Sequence, residues 1–295
     1  MNSDECEWVE HWWPAPAKLN LMLNIVSQRA DGYHQLQTVF QLVAMSDWLN
    51  FDIRQDGIID FSCSRGEIAN ADNLVVRAAQ LLKDHSNKPS LGANIELKKI
   101  LPLGAGLGGG SSDAATALVV LNAMWGLDYS ADELARIALK LGADVPVFVL
   151  GQSAWAEGVG EQLQVLDLPE QWYVVVNSDV HCSTKEVFAH NSLTRDNSAI
   201  TIRDFLNGQV KNDCLPVVMQ MSQELRDVHQ QFSEFSSVYL TGTGSSMFAK
   251  CSTRQEAVSL SDQLPESWTK WVVKGINESP LQKSLKQFFN RANQV

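Results

Sequence analysis

The chain has 295 residues, and its 34 acidic and 23 basic residues give a formal net charge of -11. An acidic chain lacks the clustered lysines and arginines that neutralise a nucleic-acid backbone, so we expect it to bind no nucleic-acid polymer. It has no apolar run approaching the roughly 20 residues that span a bilayer and no basic secretion signal, so we expect no membrane association and a cytoplasmic location. The five cysteines show no zinc-ligand spacing and are expected to stay reduced.

Apolar and polar residues alternate along several short segments of the first half, which is the pattern of β-strands. These predicted strands lie at residues 16–25, 37–43, 49–53, 58–63 and 93–99, with a short buried run at 145–150. The turn Gln55–Gly57 separates the third strand from the fourth, so we expect those two to pair as a hairpin. Helical spacing predicts a helix over 73–84, and an amphipathic helix is predicted after the glycine-rich segment. A capping-box pattern at Ser130 opens a third helix, which ends at Gly142.

The second half also alternates between predicted strands and helices. Strands are predicted at 172–176, 237–240, 247–251 and 268–275, and helices at 217–232 and 253–264. Short links between these segments indicate an α+β arrangement. At about 150 residues per domain, the length favours two domains. The polar stretch Glu157–Glu161 indicates a boundary between them, so we predict domains over 1–165 and 166–295.

Glycines crowd the segment between the strand at 93–99 and the following helix. They stand at positions 104, 106, 108, 109 and 110, directly before Ser111, Ser112 and Asp113. Glycine leaves backbone amides bare, and a helix N-terminus adds unpaired N–H groups and a positive dipole end. Such a loop binds phosphate without needing a basic surface, whereas a plain helix cap would need only one such residue. The residues predicted to form this phosphate-binding loop are Pro102, Leu103, Gly104, Ala105, Gly106, Leu107, Gly108, Gly109, Gly110, Ser111 and Ser112.

Three known phosphate-binding patterns fit this loop poorly. A Walker A loop is excluded because no Gly-Lys-Ser/Thr follows. Gly104, Gly106 and Gly109 do match the glycine pattern of dinucleotide-binding folds. However, the acidic residue near the required distance, Asp128, lies in a turn before a helix rather than at a strand end. A protein kinase is excluded because no His-Arg-Asp or Asp-Phe-Gly motif follows.

The segment PLGAGLGGGSSDAA resembles the phosphate-binding loop of the GHMP kinases. The blocks PAPAKLNLMLNI, RADGYHQLQTVFQ, LGADVPVFVLG and LTGTGSSMFA narrow the resemblance to the 4-diphosphocytidyl-2-C-methyl-D-erythritol kinases, and they reach from residue 14 to about 280. The resemblance implies a two-domain α+β fold. Its N-terminal domain would contain a left-handed βαβ unit, its C-terminal domain would be ferredoxin-like, and the active site would lie in the cleft between them.

The activity that the resemblance implies is ATP-dependent phosphorylation of the 2-hydroxyl of the cytidyl substrate, in the non-mevalonate route to isoprenoids. Mg²⁺ would accompany ATP and be bound largely by the nucleotide, since no protein metal ligands are readable. The implied state is a monomer or weak homodimer. Two alternatives remain open, a GHMP kinase for another alcohol such as homoserine or mevalonate, and a nucleotide-binding protein without turnover.

Two residues are candidates for catalysis. From the sequence alone, Asp144 is either a turn aspartate at a helix end or a loop carboxylate aimed into a cleft, and Lys18 is a lysine in an otherwise apolar strand. The resemblance implies that Asp144 accepts or orients the hydroxyl proton and that Lys18 meets both Asp144 and the reacting hydroxyl. Asn20 lies two residues after Lys18, so both side chains share one face of the strand and Asn20 is expected to contact substrate.

The substrate's nucleobase is expected to meet aromatic side chains. Tyr33 and His34 follow the Asp31-Gly32 turn, and a ring that stacks beside a ring that hydrogen-bonds suits a base. The resemblance implies that this pair holds the cytosine, with Thr184 and Phe188 contributed from the other domain. For Phe188, simple core packing is an equal alternative. Direct ligand contact by the TGTGSS turn at 241–246 stays open.

Overall fold

The computed structural model describes residues 12–68, 72–178, 180 and 182–292. Ten strands form a single hydrogen-bonded sheet among the described residues. The strands are β1 (Trp12–Gln28), β2 (His34–Arg54), β3 (Ile59–Cys63), β4 (Gly92–Lys98), β5 (Ala154–Glu157), β6 (Gln162–Val165), β7 (Trp172–Asn177), β8 (Val238–Leu240), β9 (Met247–Cys251) and β10 (Thr269–Ile276).

Helices cover the sheet in both halves of the chain. They are α1 (Leu74–Ser86), α2 (Gly109–Met124), α3 (Ala131–Leu139), α4 (Val145–Leu150), α5 (Thr184–Ala189), α6 (Ile202–Leu206), α7 (Leu215–Met221), α8 (Gln223–Ser233), α9 (Arg254–Gln263) and α10 (Pro280–Ala292). In the described part of the chain, none of them is long and apolar enough to cross a membrane.

The long strand β2 organises the N-terminal half. One of its edges pairs with β1 along almost its whole length, while other stretches pair with β4, β5 and β10. The strands predicted at 37–43 and 49–53 are therefore one continuous strand. A register shift opposite Pro16 and Ala17 leaves Ala44 and Met45 as extra residues on β2. The bulge interrupts the alternation of apolar and polar residues, which is why the sequence predicted two strands where the structure has one.

The predicted hairpin of residues 49–53 and 58–63 is wrong. β3 pairs in parallel with β4, and β4 lies between β3 and β2. The turn at Gly57 does not close a hairpin because it packs against a later segment, where its N–H donates to the Ser90 carbonyl. Helix α1 buries Val75 and Leu82 and carries the chain across to β4. The result is a β3–α1–β4 unit with parallel strands.

The C-terminal half has the strand order β10-β7-β9-β8. If the strands of this half are numbered 1 to 4 along the chain, their order in the sheet is 4-1-3-2. Helices α5–α8 lie between β7 and β8 in the chain, and α9 lies between β9 and β10. This is the βαββαβ arrangement of a ferredoxin-like fold, as the resemblance implied. β10 also pairs with β2 through Gly275 and Ile276, which joins the two halves into one sheet.

Three sequence predictions of local structure need correction. Residues 145–150 form helix α4 rather than a buried strand, because a short apolar run fits either element and Pro146 suits the first helical turn. The helix predicted over 217–232 is two helices, since extended Ser222 ends α7 and caps α8. The helix after the glycine loop is buried on most faces rather than amphipathic, and α10 was not predicted.

The hydrophobic residues form separate cores in the two halves, with a third cluster between them. Trp13 belongs to the first core and packs edge-on against Phe288 of α10, with ring centroids 5.6 Å apart. The stretch Glu157–Glu161 connects the paired strands β5 and β6. The division of the chain at residue 165 stays a prediction.

Candidate active site

Two adjoining cavities open between the halves of the molecule. The first, of about 820 Å³, is lined by residues of β1, the turn before β2, the residues that precede α4, and α5. The second, of about 600 Å³, is lined mainly by the glycine-rich loop. Gly106, Gly108, Ser111 and Thr184 line both cavities. The glycine-rich loop therefore forms the partition between the two cavities, and groups bound in the two cavities would lie next to each other there.

Lys18 lies at this partition. The backbone N–H of Lys18 donates to the Leu107 carbonyl at 3.0 Å, so β1 is bonded directly to the loop. Its buried ammonium donates to Asn20 Oδ1 and, at 3.0 Å, to the Gly106 carbonyl. It also forms an ion pair with Asp144 Oδ2 at 3.2 Å. Three oxygen acceptors therefore fix the ammonium group in one position.

Asp144 occupies the N-cap position of α4, where sequence analysis expected a turn before a strand. Its side chain makes no capping hydrogen bond and turns to Lys18 instead. The Asp144 side chain is 36% exposed, whereas that of Lys18 is 3% exposed. A carboxylate that lines the first cavity, is solvent-accessible and is paired with a buried cation can accept a proton from a bound hydroxyl.

Asn20 connects β1 to two distant segments. Its Nδ2 donates to Thr38 Oγ1 at 2.9 Å, and its backbone N–H donates to Thr241 Oγ1 at 3.0 Å. Thr241 Oγ1 in turn donates to the Gly106 carbonyl at 3.1 Å. One hydroxyl therefore ties the C-terminal glycine turn to both β1 and the glycine-rich loop.

The turn at 241–246 packs backbone to backbone on the glycine-rich loop. The Ser246 N–H donates to the Ala105 carbonyl at 3.1 Å. Gly106 has a φ of +76°, and a Cβ at that position would lie 2.3 Å from the Thr241 carbonyl oxygen. Glycine is required here because both its φ and this close approach exclude a side chain. Gly242 and Thr243 line the first cavity, contacts that sequence analysis left open.

The glycine-rich loop presents backbone rather than side chains to the second cavity. Ten of its eleven predicted residues line that cavity, and Ser112 does not. The side chains of Ala105 and Leu107 are buried in the cluster between the two cores. Gly108 has a φ of +73° and caps α2, whose first turn contains the buried Ser112. Bare amides and a helix N-terminus therefore face the cavity, which is the composition of an anion site.

A buried ion cluster that sequence analysis missed lies beside this loop. Lys99 Nζ contacts Asp47 Oδ2 and Asp113 Oδ2, each at 2.6 Å. Asp47 Oδ1 also accepts from the N–H groups of Ile100 and Leu101. No partner within the described residues reaches Asp113 Oδ1. The three side chains come from separate segments, so only the fold brings them together.

The protonation of this cluster follows from its burial. Burial raises the pKa of Asp113, Lys99 opposes the shift and the charge of Asp47 adds to it, and the result is about 8. Burial lowers the pKa of Lys99, but the two carboxylates outweigh it and the pKa rises. Asp113 is therefore protonated near neutral pH, while Lys99 keeps its own proton.

Aromatic residues line the far end of the first cavity. His34 and Phe188 stack on each other with ring centroids 5.1 Å apart, and Tyr33 is 63% exposed at the rim. Thr184 Oγ1 lies 2.9 Å from Thr243 Oγ1, which joins α5 to the C-terminal glycine turn. The four residues predicted for this pocket, Tyr33, His34, Thr184 and Phe188, thus all line one cavity. Phe188 also packs at the edge of the C-terminal core.

Comparisons with known proteins agree on one family. The model of the GHMP kinases N terminal domain matches residues 73–152. A 4-diphosphocytidyl-2-C-methyl-D-erythritol kinase of Methylococcus capsulatus is 48% identical over 275 residues, which are 93% of this chain and 94% of that protein.

Solved structures resemble the chain over most of its length. The crystal structure of a 4-(cytidine 5'-diphospho)-2C-methyl-D-erythritol kinase has a TM-score of 0.78 at 31% identity, and the match covers 90% of this chain and 98% of that one. A mevalonate kinase crystal structure has a TM-score of 0.66, and the match covers 90% of this chain and 99% of that one. At 14% identity, that second likeness shows the fold alone.

Proposed function

The chain belongs to the 4-diphosphocytidyl-2-C-methyl-D-erythritol kinases, a family of GHMP kinases, and on that premise we propose that it phosphorylates the 2-hydroxyl of this cytidyl substrate with ATP. The products are the 2-phosphate and ADP, and the reaction serves the non-mevalonate route to isoprenoid precursors. Family membership confirms the predicted GHMP kinase fold and kinase chemistry. The observation that carries the proposal is the Lys18–Asp144 pair at the meeting point of two cavities.

ATP is assigned to the second cavity, with its phosphates over the glycine-rich loop. The bare amides of this loop and the N-terminus of α2 supply local positive potential, which a chain of net charge -11 lacks overall. Among the residues of this loop, Ser111 is the one with a hydroxyl that lines both cavities, so we place it near the transferred group. These features support nucleotide binding at residues 102–112.

Mg²⁺ is proposed to accompany ATP, and when bound it neutralises charge on the phosphate oxygens. The described residues contain no group of three or more His, Cys, Asp and Glu side chains able to hold a metal ion. We propose that the nucleotide supplies most of the ligands of this cation. We propose that the active form is a monomer or a weak homodimer.

Asp144 and Lys18 act on the substrate hydroxyl. Asp144 accepts or orients the hydroxyl proton, a role typically worth about 10²–10⁴-fold in rate. Lys18 keeps Asp144 paired and stabilises the oxygen as negative charge develops on it. The contacts of Lys18 with Asn20 and Gly106 keep its ammonium in place before substrate arrives, so little reorganisation is needed.

The cytosine of the substrate is assigned to the aromatic end of the first cavity. Tyr33 offers an exposed ring for stacking, while His34 and Phe188 form the opposite wall. A Tyr33→Ala variant should raise the KM for the cytidyl substrate several-fold and leave the KM for ATP unchanged. An unchanged KM for the cytidyl substrate would remove Tyr33 from base recognition.

ADP release by the purified protein tests the proposal. MgATP is mixed with the cytidyl substrate, with homoserine or with mevalonate, and ADP is followed in each case. Turnover is expected with the cytidyl substrate alone, because homoserine and mevalonate have no base that could bind in the aromatic pocket. Turnover only with another alcohol would refute the substrate assignment, and no turnover with any alcohol would favour a binding protein. Asp144→Asn should lower kcat at least about 100-fold; full activity would exclude Asp144 from the mechanism.

A further inference from the structure

Arg195 makes four hydrogen bonds that converge on the aromatic end of the first cavity. Its Nε donates to His34 Nε2 at 3.2 Å. Its Nη2 donates to the carbonyls of Phe188 and His190, each at 2.9 Å, and its Nη1 donates to the Leu193 carbonyl at 3.0 Å. One guanidinium therefore connects the start of β2 to the segment that follows α5. Arg195 is not among the site residues predicted from the sequence.

The contact with Arg195 determines which imidazole nitrogen of His34 carries the proton. A guanidinium has five N–H donors and no acceptor, so His34 Nε2 must accept with a bare lone pair. Burial lowers the pKa of His34, and the charge of Arg195 lowers it further, so the ring is neutral at neutral pH. A neutral imidazole has one N–H, which must therefore lie on Nδ1.

The other bonds of Arg195 hold the second aromatic ring. The carbonyls of Phe188 and His190 lie at the C-terminal end of α5, which has only six residues and little stability of its own. By binding both carbonyls, Arg195 fixes the backbone that carries the Phe188 ring against His34. A lysine has no planar fork and could not make all four bonds at once.

We propose that Arg195 is a positioning residue for base recognition, which holds His34 as the Nδ1–H tautomer and keeps Phe188 stacked beside it. His34 then presents a hydrogen-bond donor to an acceptor atom of the base, and the wrong tautomer would present a lone pair to that acceptor. The link to the base rests on the proposed function, whereas the tautomer is a property of the free protein.

Imidazole ¹⁵N NMR of protein labelled with ¹⁵N-histidine tests the tautomer without substrate. The His34 signals are assigned by their loss in His34→Asn. At about pH 8, above the ordinary pKa of histidine, Nε2 should show the shift of a bare nitrogen and Nδ1 that of a protonated one. In Arg195→Ala the two shifts should move toward each other as the tautomers mix. A protonated Nε2 in the unmodified protein would overturn the proposal.

Steady-state kinetics test the consequence for the base. Arg195→Ala and Arg195→Lys should each raise the KM for the cytidyl substrate about tenfold, the size expected for one oriented hydrogen bond. The KM for ATP and kcat should stay within about twofold of the unmodified values, because Arg195 lies outside the second cavity. Arg203→Ala, at an exposed arginine of α6, is the matched control and should change neither KM.

The outcomes separate this inference from the proposed function. The inference is overturned if, in both variants, the fold-change in kcat or in the KM for ATP is as large as the fold-change in the KM for the cytidyl substrate. That pattern indicates general structural damage. If the cytidyl substrate is not phosphorylated at all, the proposed function fails, and the NMR measurement still decides the role of Arg195 in fixing His34. If Arg195→Ala does not fold, the unmodified protein and Arg195→Lys still give both readouts.

Discussion

Replacing Lys18 by Met should abolish most of the activity while leaving nucleotide binding intact. Lys18 Nζ lies 3.2 Å from Asp144 Oδ2, and at an effective dielectric constant of about 20 this corresponds to a gross attraction of about 5 kcal/mol. The net value is smaller, because Asp144 is partly solvated and the buried ammonium has lost its hydration. The ground-state ion pair is therefore not the main loss.

The larger loss occurs in the transition state. A fixed cation beside an oxygen that gains negative charge is typically worth about 2.7–4 kcal/mol, so kcat should fall about 10²–10³-fold. The KM for ATP should change less than about threefold, because Lys18 lines the first cavity and not the second. The free energy of unfolding should fall by about 1–3 kcal/mol, since Asn20 Oδ1 loses its donor while the Gly106 carbonyl keeps Thr241.

The assay is steady-state ADP release with the cytidyl substrate and ATP varied in turn, together with urea unfolding of each protein. Lys98→Met is the matched control, because Lys98 is an exposed lysine on β4 outside both cavities. The control should keep its kcat within about twofold. The reasoning is refuted if Lys18→Met keeps a near-normal kcat, or if Lys98→Met loses as much activity.

Two further substitutions test the packing and the buried charges. Gly106→Ala should lower the free energy of unfolding by at least about 2 kcal/mol, because Gly106 has a left-handed φ and a Cβ there would lie 2.3 Å from the Thr241 carbonyl oxygen. The control Gly110→Ala should be neutral or stabilising in thermal unfolding, because the nearest atom to its Cβ would be 3.6 Å away. Equal melting temperatures for the two variants would contradict this prediction. For Asp113, a folded pKa of about 8 against about 3.9 unfolded means that its contribution to stability is fully present below about pH 4 and lost as the pH rises through about 8. In urea titrations, the free energy of unfolding of Asp113→Asn should therefore rise relative to that of the unmodified protein as the pH increases from about 4 to about 8. A difference between the two proteins that does not change with pH would contradict the raised pKa.

Local sequence patterns predicted two elements of the proposed site, the strand β1 and the glycine-rich loop. The alternation of β1 puts Lys18 and Asn20 on one face, and the two side chains are in contact. The crowded glycines correctly predicted a loop that exposes backbone before a helix. The structure of these two segments depends mainly on residues that are neighbours in the sequence, so the local pattern is enough to predict it.

Features that depend on long-range pairing could not be predicted in the same way. The strand β4 inserts between β2 and β3 only because α1 carries the chain across, so the local turn signal at Gly57 was misleading. Arg195 reaches His34 across 161 positions of the chain, and no spacing rule connects them. The buried Lys99 cluster likewise unites three segments, and its charges look like ordinary surface residues in the sequence.

Product analysis by ³¹P NMR tests the central claim most directly. The protein is incubated with MgATP and the cytidyl substrate until ADP has formed, and the spectrum is recorded. A new phosphomonoester signal should appear in equal amount to ADP, with the diphosphate signals of the cytidyl ester intact. The new signal should lack three-bond coupling to hydrogen, because the 2-carbon is tertiary and carries no hydrogen. ADP accompanied by inorganic phosphate, or a phosphomonoester formed by cleavage of the diphosphate, would contradict the account.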